Sequence, residues 1–298
     1  MKEKSAYVYL YALISMIFWG MSFVWTSLLL KYYQPVAIIF IRLIISSIFL
    51  FLIIILFRKQ IKIRRKDYWL IFISSVFNPF LYFIGENTGL KYSTSTITAV
   101  IIATIPVFSP LVARFTLNER LTWYNLAGIF ISFAGILIML MNPEMNIEIQ
   151  AKGAFFLSIA VIAALIYSVL LKKLSVNNSP LTLIAYQNLI GIFLFMPFFL
   201  FMEYHQFINV IPDLRIISSF LFLGILASSI SYVLFAKTVK TLGISKTNIF
   251  TNLIPVFTAI FSFFILAESF TFLKVIGMLI VISGVFITEI SPKGRNLR

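Results

Sequence analysis

The 298-residue chain has no cysteine and a single histidine, His205. The first absence excludes disulfides and thiol chemistry. The second leaves no cluster that would hold a metal, since such sites gather several His, Cys or carboxylate ligands. Acidic residues number only ten, and all charged residues together make 11% of the chain. No Gly-x-x-x-x-Gly-Lys segment occurs, so there is no phosphate cradle of the ATP-hydrolysing kind. His205 falls in a predicted loop, away from any intramembrane serine, which excludes a Ser–His dyad at membrane depth. Glu86 is the clear carboxylate at that depth, and one such group is a poor basis for acid/base catalysis. The expectation is a non-enzyme without cofactor or metal.

Apolar residues, by contrast, make up 61% of the chain, and the mean hydropathy is +1.02. A soluble domain of this size has no core large enough to hide them. About 20 apolar residues cross a bilayer as a helix, and lipid leaves every backbone group to be satisfied within it. The sequence therefore predicts an all-α integral membrane protein. Ten transmembrane helices are expected near residues 8–30, 36–57, 68–90, 95–116, 122–141, 153–173, 181–202, 214–236, 245–267 and 272–290. Breaks are short: Tyr32 to Pro35, the basic run Arg58 to Lys66, residues 142–152, and Asn177 to Pro180. Such loops hold no soluble domain and make neighbouring helices antiparallel. The first apolar run is too long for a signal-peptide core and lacks a small-residue cleavage site.

With the N-terminus in the cytoplasm, 18 of the 24 Lys and Arg fall on the cytoplasmic side. Five lie outside (Lys31, Lys91, Lys152, Arg215, Lys274), and Arg42 is left within the membrane. This asymmetry fits the positive-inside rule with both termini cytoplasmic. It also accounts for the net charge of +14, which reads as span ends facing an anionic leaflet rather than as nucleic-acid binding. The cluster Arg58–Lys66 reads first as a topology determinant. High use of Ile, Lys and Phe suggests an AT-rich bacterial genome, hence a multi-pass protein of the plasma (inner) membrane.

The two halves resemble each other. Ile105-Pro106-Val107-Phe108 recurs as Ile254-Pro255-Val256-Phe257, an offset of 149. The same offset carries Phe115 to Phe264, Glu119 to Glu268, Thr122 to Thr271, Gly128 to Gly277 and Gly135 to Gly284. At an offset of 145, Pro35 meets Pro180 and Arg42 meets Gln187. Five spans per half is an odd number, so the second half, 146–298, enters the membrane inverted relative to the first, 1–145. Inverted repeats give many carriers two states of similar energy around a central site.

Together with Trp19-Gly20 in the first span, the Pro-Val-Phe, Glu, Gly, Gly order in the fourth and fifth spans of each half resembles the EamA-type drug/metabolite transporter superfamily. The resemblance covers almost the whole chain and implies a carrier of amino acids, metabolites, nucleosides or drug-like cations, often outwards. It departs from symmetry where Ala164 and Leu165 replace Trp19 and Gly20 in the second half.

Polar residues within the spans form faces. Ser15, Trp19, Ser22 and Thr26 share one face of the first span; Ser75, Asn78, Tyr82 and Glu86 share one of the third. Tyr167 and Ser168 lie on the sixth span, Gln187 and Asn188 on the seventh, Ser228, Ser231 and Tyr232 on the eighth. Asn248, Thr251, Asn252 and Pro255 lie on the ninth. Such faces turn inward, away from lipid, as helix–helix glue or as the lining of a cavity. The candidate substrate-binding residues are Trp19, Ser22, Arg42, Asn78, Tyr82, Glu86, Tyr167, Gln187, Tyr232 and Asn252. Arg42 and Glu86 sit at similar depth. They are a structural ion pair, or a grip for a zwitterion, or, for Glu86, the seat of a coupling proton. Pro106, Pro110 and Pro255 fall inside spans, where each removes a backbone donor and bends the helix. The four repeated glycines read as packing sites, and Glu119 and Glu268 as caps or gate-side groups. The reading is a secondary transporter of small organic solutes working by alternating access, with a small-molecule substrate and the lipid bilayer as partners. A lipid flippase and a non-transporting membrane scaffold are the alternatives.

Overall fold

A computed structural model describes residues 2–58, 63–117, 122–141, 150–269 and 271–289. Glu119, Lys59, Lys62 and the break at 142–149 lie outside the described residues. All regular structure among the described residues is helical. Among the described residues, seven helical stretches are long and apolar enough to cross a membrane: Tyr7–Leu29, Pro35–Leu56, Arg65–Lys91, Ala151–Asn177, Pro180–Ile208, Leu214–Leu242 and Ile244–Leu266. Three shorter apolar helices, Ser95–Ser109, Leu126–Met139 and Phe272–Ile287, accompany them.

The surface is inverted relative to that of a water-soluble protein. Phe115, Phe201, Ile211 and Trp123 are more than four-fifths exposed, while Ser15, Ser46, Asn87 and Thr258 are fully buried. That pattern suits a lipid solvent, in which polar groups are costly outside and useful between helices.

In chain order the elements are α1 (Lys2–Leu29), α2 (Pro35–Leu56), α3 (Tyr68–Ser75), α4 (Tyr82–Lys91), α5 (Ser95–Ile102), α6 (Ile105–Leu117), α7 (Trp123–Leu140), α8 (Ala151–Asn177) and α9 (Pro180–Phe198). There follow α10 (Tyr204–Ile208), α11 (Leu214–Leu221), α12 (Tyr232–Leu242), α13 (Ile244–Ile249), α14 (Ile254–Leu266) and α15 (Phe272–Glu289). The repeat is visible in these boundaries. Adding 149 to the ends of α6 yields those of α14, and adding it to the ends of α7 yields those of α15. An offset of 145 carries the start of α2 to the start of α9.

Three spans expected to be continuous are interrupted, and each interruption has a chemical cause. Between α3 and α4 the helix widens into a π-helical stretch, Val76–Leu81, in which Asn78 is extended (φ −147, ψ 119). Pro79 follows it, and a residue before proline is pushed out of the helical region. The fourth span breaks at Ala103–Thr104, and the ninth tightens to a 3₁₀ turn at Phe250–Leu253. Pro106 and Pro255 then stand second in α6 and α14, where a missing N–H costs nothing. These prolines start helices rather than bend them; Pro110 lies within α6. The seventh and eighth spans carry further π stretches, Phe199–Glu203 and Phe222–Ser231.

The two halves interleave. α1 packs on the π stretch 222–231, α12 and α14, and its counterpart α8 packs on the π stretch 76–81, α4 and α5. α2 lies against α9, and α7 against α15. The last pair meets through glycine: a Cβ on Gly135 would sit 2.7 Å from the Gly277 carbonyl, and one on Gly277 would sit 2.6 Å from that of Gly135. A Cβ on Gly20 would lie 2.6 Å from Phe257 Cβ, so α1 and α14 touch backbone to backbone there. The Thr258 hydroxyl donates to the Gly20 carbonyl across this contact, at 3.1 Å.

Candidate functional site: a charged chamber beside an aromatic one

The π stretch 222–231 organises the centre. Widening a helix by one residue per turn loosens its carbonyls from their intrahelical donors, and side chains of other helices take them up. Trp19 Nε1 donates to the Ala227 carbonyl (3.2 Å), Ser15 Oγ to that of Ser231 (3.0 Å) and Asn188 Nδ2 to that of Ser228 (3.1 Å). Asn188 also donates to Ser46 Oγ (2.6 Å). The result fixes Trp19 and the hydroxyl of Ser228, which accepts from Arg42 Nε at 2.8 Å.

Arg42 is 1% exposed and Glu86 4% exposed. Both line a small chamber with Trp19, Ser22, Tyr82, Phe83 and Tyr232. The guanidinium lies over the Phe83 ring, 4.3 Å from its centroid, a placement that offsets part of the cost of burying a cation. Its Nη1 has no hydrogen-bond partner among the described residues. Glu86 lines the same chamber as Tyr82, one turn before it, within reach of the charge of Arg42. Among the described residues the two charges make no direct ion pair. A cation and an anion thus face one small volume with a gap between them.

A second small chamber shares the wall formed by Trp19, Tyr82, Tyr232 and Ile254. Trp19 and Tyr232 meet edge to face, centroids 4.9 Å apart, and Phe235 lies as close to Trp19 on another side. The rest of this chamber is built from Asn78, Tyr167, Ser168, Asn248 and Thr251 with aliphatic Ile102, Ile105 and Ala164. The extended backbone at Asn78 aims its amide at Tyr232, Nδ2 donating to the phenol oxygen at 3.2 Å. Gly191 makes room behind it, since a Cβ there would lie 2.5 Å from Pro79.

Of the ten residues expected at the site, Trp19, Ser22, Arg42, Tyr82, Glu86 and Tyr232 line the first chamber, and Asn78 and Tyr167 the second. Gln187 stands behind the wall: it accepts from the Tyr167 hydroxyl (3.2 Å) and donates to Ser74 Oγ (2.5 Å). Asn252 is buried, its Oδ1 unpartnered among the described residues, and lines neither chamber. Asn248, Thr251, Phe83 and Phe235 were not on that list. The polar face of the ninth span, which includes Asn248 and Thr251, was the available signal for two of them.

The EamA-like transporter family model matches the chain twice, over residues 6–141 and 151–290. An "Uncharacterized transporter" of Archaeoglobus fulgidus is 28% identical over 274 residues, covering 92% of this chain and 95% of the relative. The "Uncharacterized transporter YetK" of Bacillus subtilis is 26% identical over 296 residues, covering 98% and 89%. A solved protein structure superposes with a TM-score of 0.78 at 14% identity, covering 95% of this chain and 96% of that one, which is a likeness of fold. A duplicated all-helical chain with apolar spans, matched by that model along both halves, belongs to the EamA-like transporter family.

Proposed function

We propose that the protein is a secondary carrier of small zwitterionic metabolites, amino acids or close relatives, working by alternating access and exporting them across the plasma (inner) membrane of a bacterium. Ten spans in two inverted five-helix repeats, with both termini cytoplasmic, form its frame. The equal element boundaries at offsets of 149 and 145, and the interleaved packing of counterpart helices, support that frame. The observation that carries the substrate class is the pair Arg42 and Glu86, facing one chamber without a direct ion pair. A buried charge without a partner is expensive in a membrane. A zwitterion between them answers both charges, its carboxylate on Arg42 Nη1 and its ammonium on Glu86. When the site is empty, Glu86 is free to carry a coupling proton, the second role of the same carboxylate.

A lipid substrate has one feature in its favour, an apolar groove lined by Phe108, Val112, Ile162 and neighbours. Its polar lining consists of Thr104 and Ser158, with no charge to receive a headgroup. The test is counterflow in proteoliposomes, with labelled amino acids, nucleosides and organic cations, with and without a pH gradient. Saturable exchange of an amino acid is expected, accelerated by the gradient. No exchange across the panel by folded, inserted protein would overturn the reading, and lipid scrambling would then be measured in the same vesicles.

A further inference from the structure

Within the second chamber most polar side chains make a hydrogen bond, and one buried amide nitrogen makes none among the described residues. Trp19 donates to Ala227, Asn78 to Tyr232, Tyr167 to Gln187, and Ser168 to the Ala164 carbonyl at 2.8 Å. Thr251 donates its hydroxyl to the Asn248 carbonyl at 2.6 Å. The amide nitrogen of Asn248 itself is buried and has no partner among the described residues. The residue is 1% exposed and lines the chamber from α13, just before the 3₁₀ turn at 250–253. The first chamber repeats the situation, with Arg42 Nη1 as its unpartnered donor. Two buried donors therefore stand without acceptors in adjoining chambers that share an aromatic wall. A buried donor left unmade is costly, and a ligand that supplies its acceptor recovers that cost.

We infer that Asn248 is a specificity-determining residue of the site, selecting zwitterions whose side chain ends in a neutral hydrogen-bond acceptor. This rests on the zwitterion reading above and deepens it. The head of the ligand occupies the charged chamber, and its side chain passes the Trp19–Tyr232 wall into the second. Only uncharged residues line that chamber, so a second carboxylate there would be desolvated without a counter-charge. An amide carbonyl or phenol oxygen, by contrast, meets the Asn248 amide. A side chain of the same size without an acceptor leaves the donor buried and unpaired. Sites built to make a hydrogen bond discriminate by this means more strongly than apolar pockets discriminate by size.

The experiment is competition counterflow in proteoliposomes with two isosteric pairs, glutamine against methionine and tyrosine against phenylalanine. The wild type should favour the acceptor-bearing member of each pair by about tenfold. Asn248→Leu should bring that ratio to about one. Asn248→Asp replaces the donor by an acceptor and should turn the preference towards lysine over glutamine, so a misfolded Asn248→Leu does not end the test. Exchange of all four amino acids without the tenfold preference, or a preference that survives both substitutions, would overturn the inference and leave the zwitterion reading standing. No exchange of any amino acid by the wild type would overturn both.

Discussion

Among single residues, the buried charges decide most, because a lipid-embedded protein must answer each of them. Arg42 and Glu86 were legible as intramembrane charges of similar depth, because both interrupt apolar runs. Their separation was not legible: depth along two helices says nothing of rotation, and the Phe83 face and the Ser228 hydroxyl that hold the guanidinium come from other spans. Replacing Arg42 by Gln removes the partner of the substrate carboxylate. A hydrogen bond to a charged group is worth about 1.5–3 kcal/mol, so kcat/KM for amino-acid counterflow should fall by roughly 10- to 100-fold. Arg42→Lys should recover part of it, since an ammonium keeps the charge but loses the fork. Equal transport by all three proteins would mean that the cation is structural. Asn248 shows the converse limit. Sequence placed it on a polar face with Thr251 and Asn252, but that Asn248 and Asn252 each keep an unpartnered amide atom among the described residues, and that only Asn248 lines a chamber, depends on packing that periodicity does not encode.

At the scale of elements, most helix positions followed from apolar run length, and most errors came from assuming regularity. Ser75, Asn78, Tyr82 and Glu86 share a face only in an unbroken helix, whereas Asn78 is extended and Pro79 follows it. The break nonetheless delivers Asn78 to Tyr232, so the residue reaches the site by another route. Pro106 and Pro255 were read as bends and are helix starts. Two element-level outcomes are expected. Ala267 ends α14 in the left-handed region (φ 54, ψ 32), where a side chain costs about 1 kcal/mol. Ala267→Gly should therefore raise the thermal stability of detergent-solubilised protein by an amount equivalent to about 0.5–1 kcal/mol. Gly277→Leu should lower it by about 1–3 kcal/mol or more, because the α7–α15 contact leaves no room for a side chain. An unchanged melting temperature for Gly277→Leu would show that these helices do not pack as described.

At the scale of the whole molecule, the duplicated pattern was readable because the Pro-Val-Phe and Gly–Gly spacings survive at a constant offset. The interleaving of the halves was not, since helix neighbours far apart in sequence leave no local trace. Polar ties bridge distant elements near the helix ends: Thr96 Oγ1 donates to Glu268 at 2.6 Å, and Asn178 Nδ2 to Asp67 at 2.9 Å. Alternating access requires each end of the bundle to open in turn. The chain has no cysteine, so a pair introduced at Thr96 and Glu268, or at Asp67 and Asn178, is the sole target of a short bifunctional thiol crosslinker. Crosslinking either pair should stop counterflow. Undiminished flux with both pairs fully crosslinked would rule out rocking of one repeat against the other.

The central claim is that one chamber grips both ends of a zwitterion. It is tested most directly by comparing, in counterflow with the wild-type protein, an amino acid with the amine that lacks its carboxylate and the acid that lacks its amino group. The account expects saturable exchange of the amino acid and a loss of about 10- to 100-fold for each analogue. Equal exchange of all three would contradict it, because Arg42 and Glu86 would then not be holding the charges of the substrate.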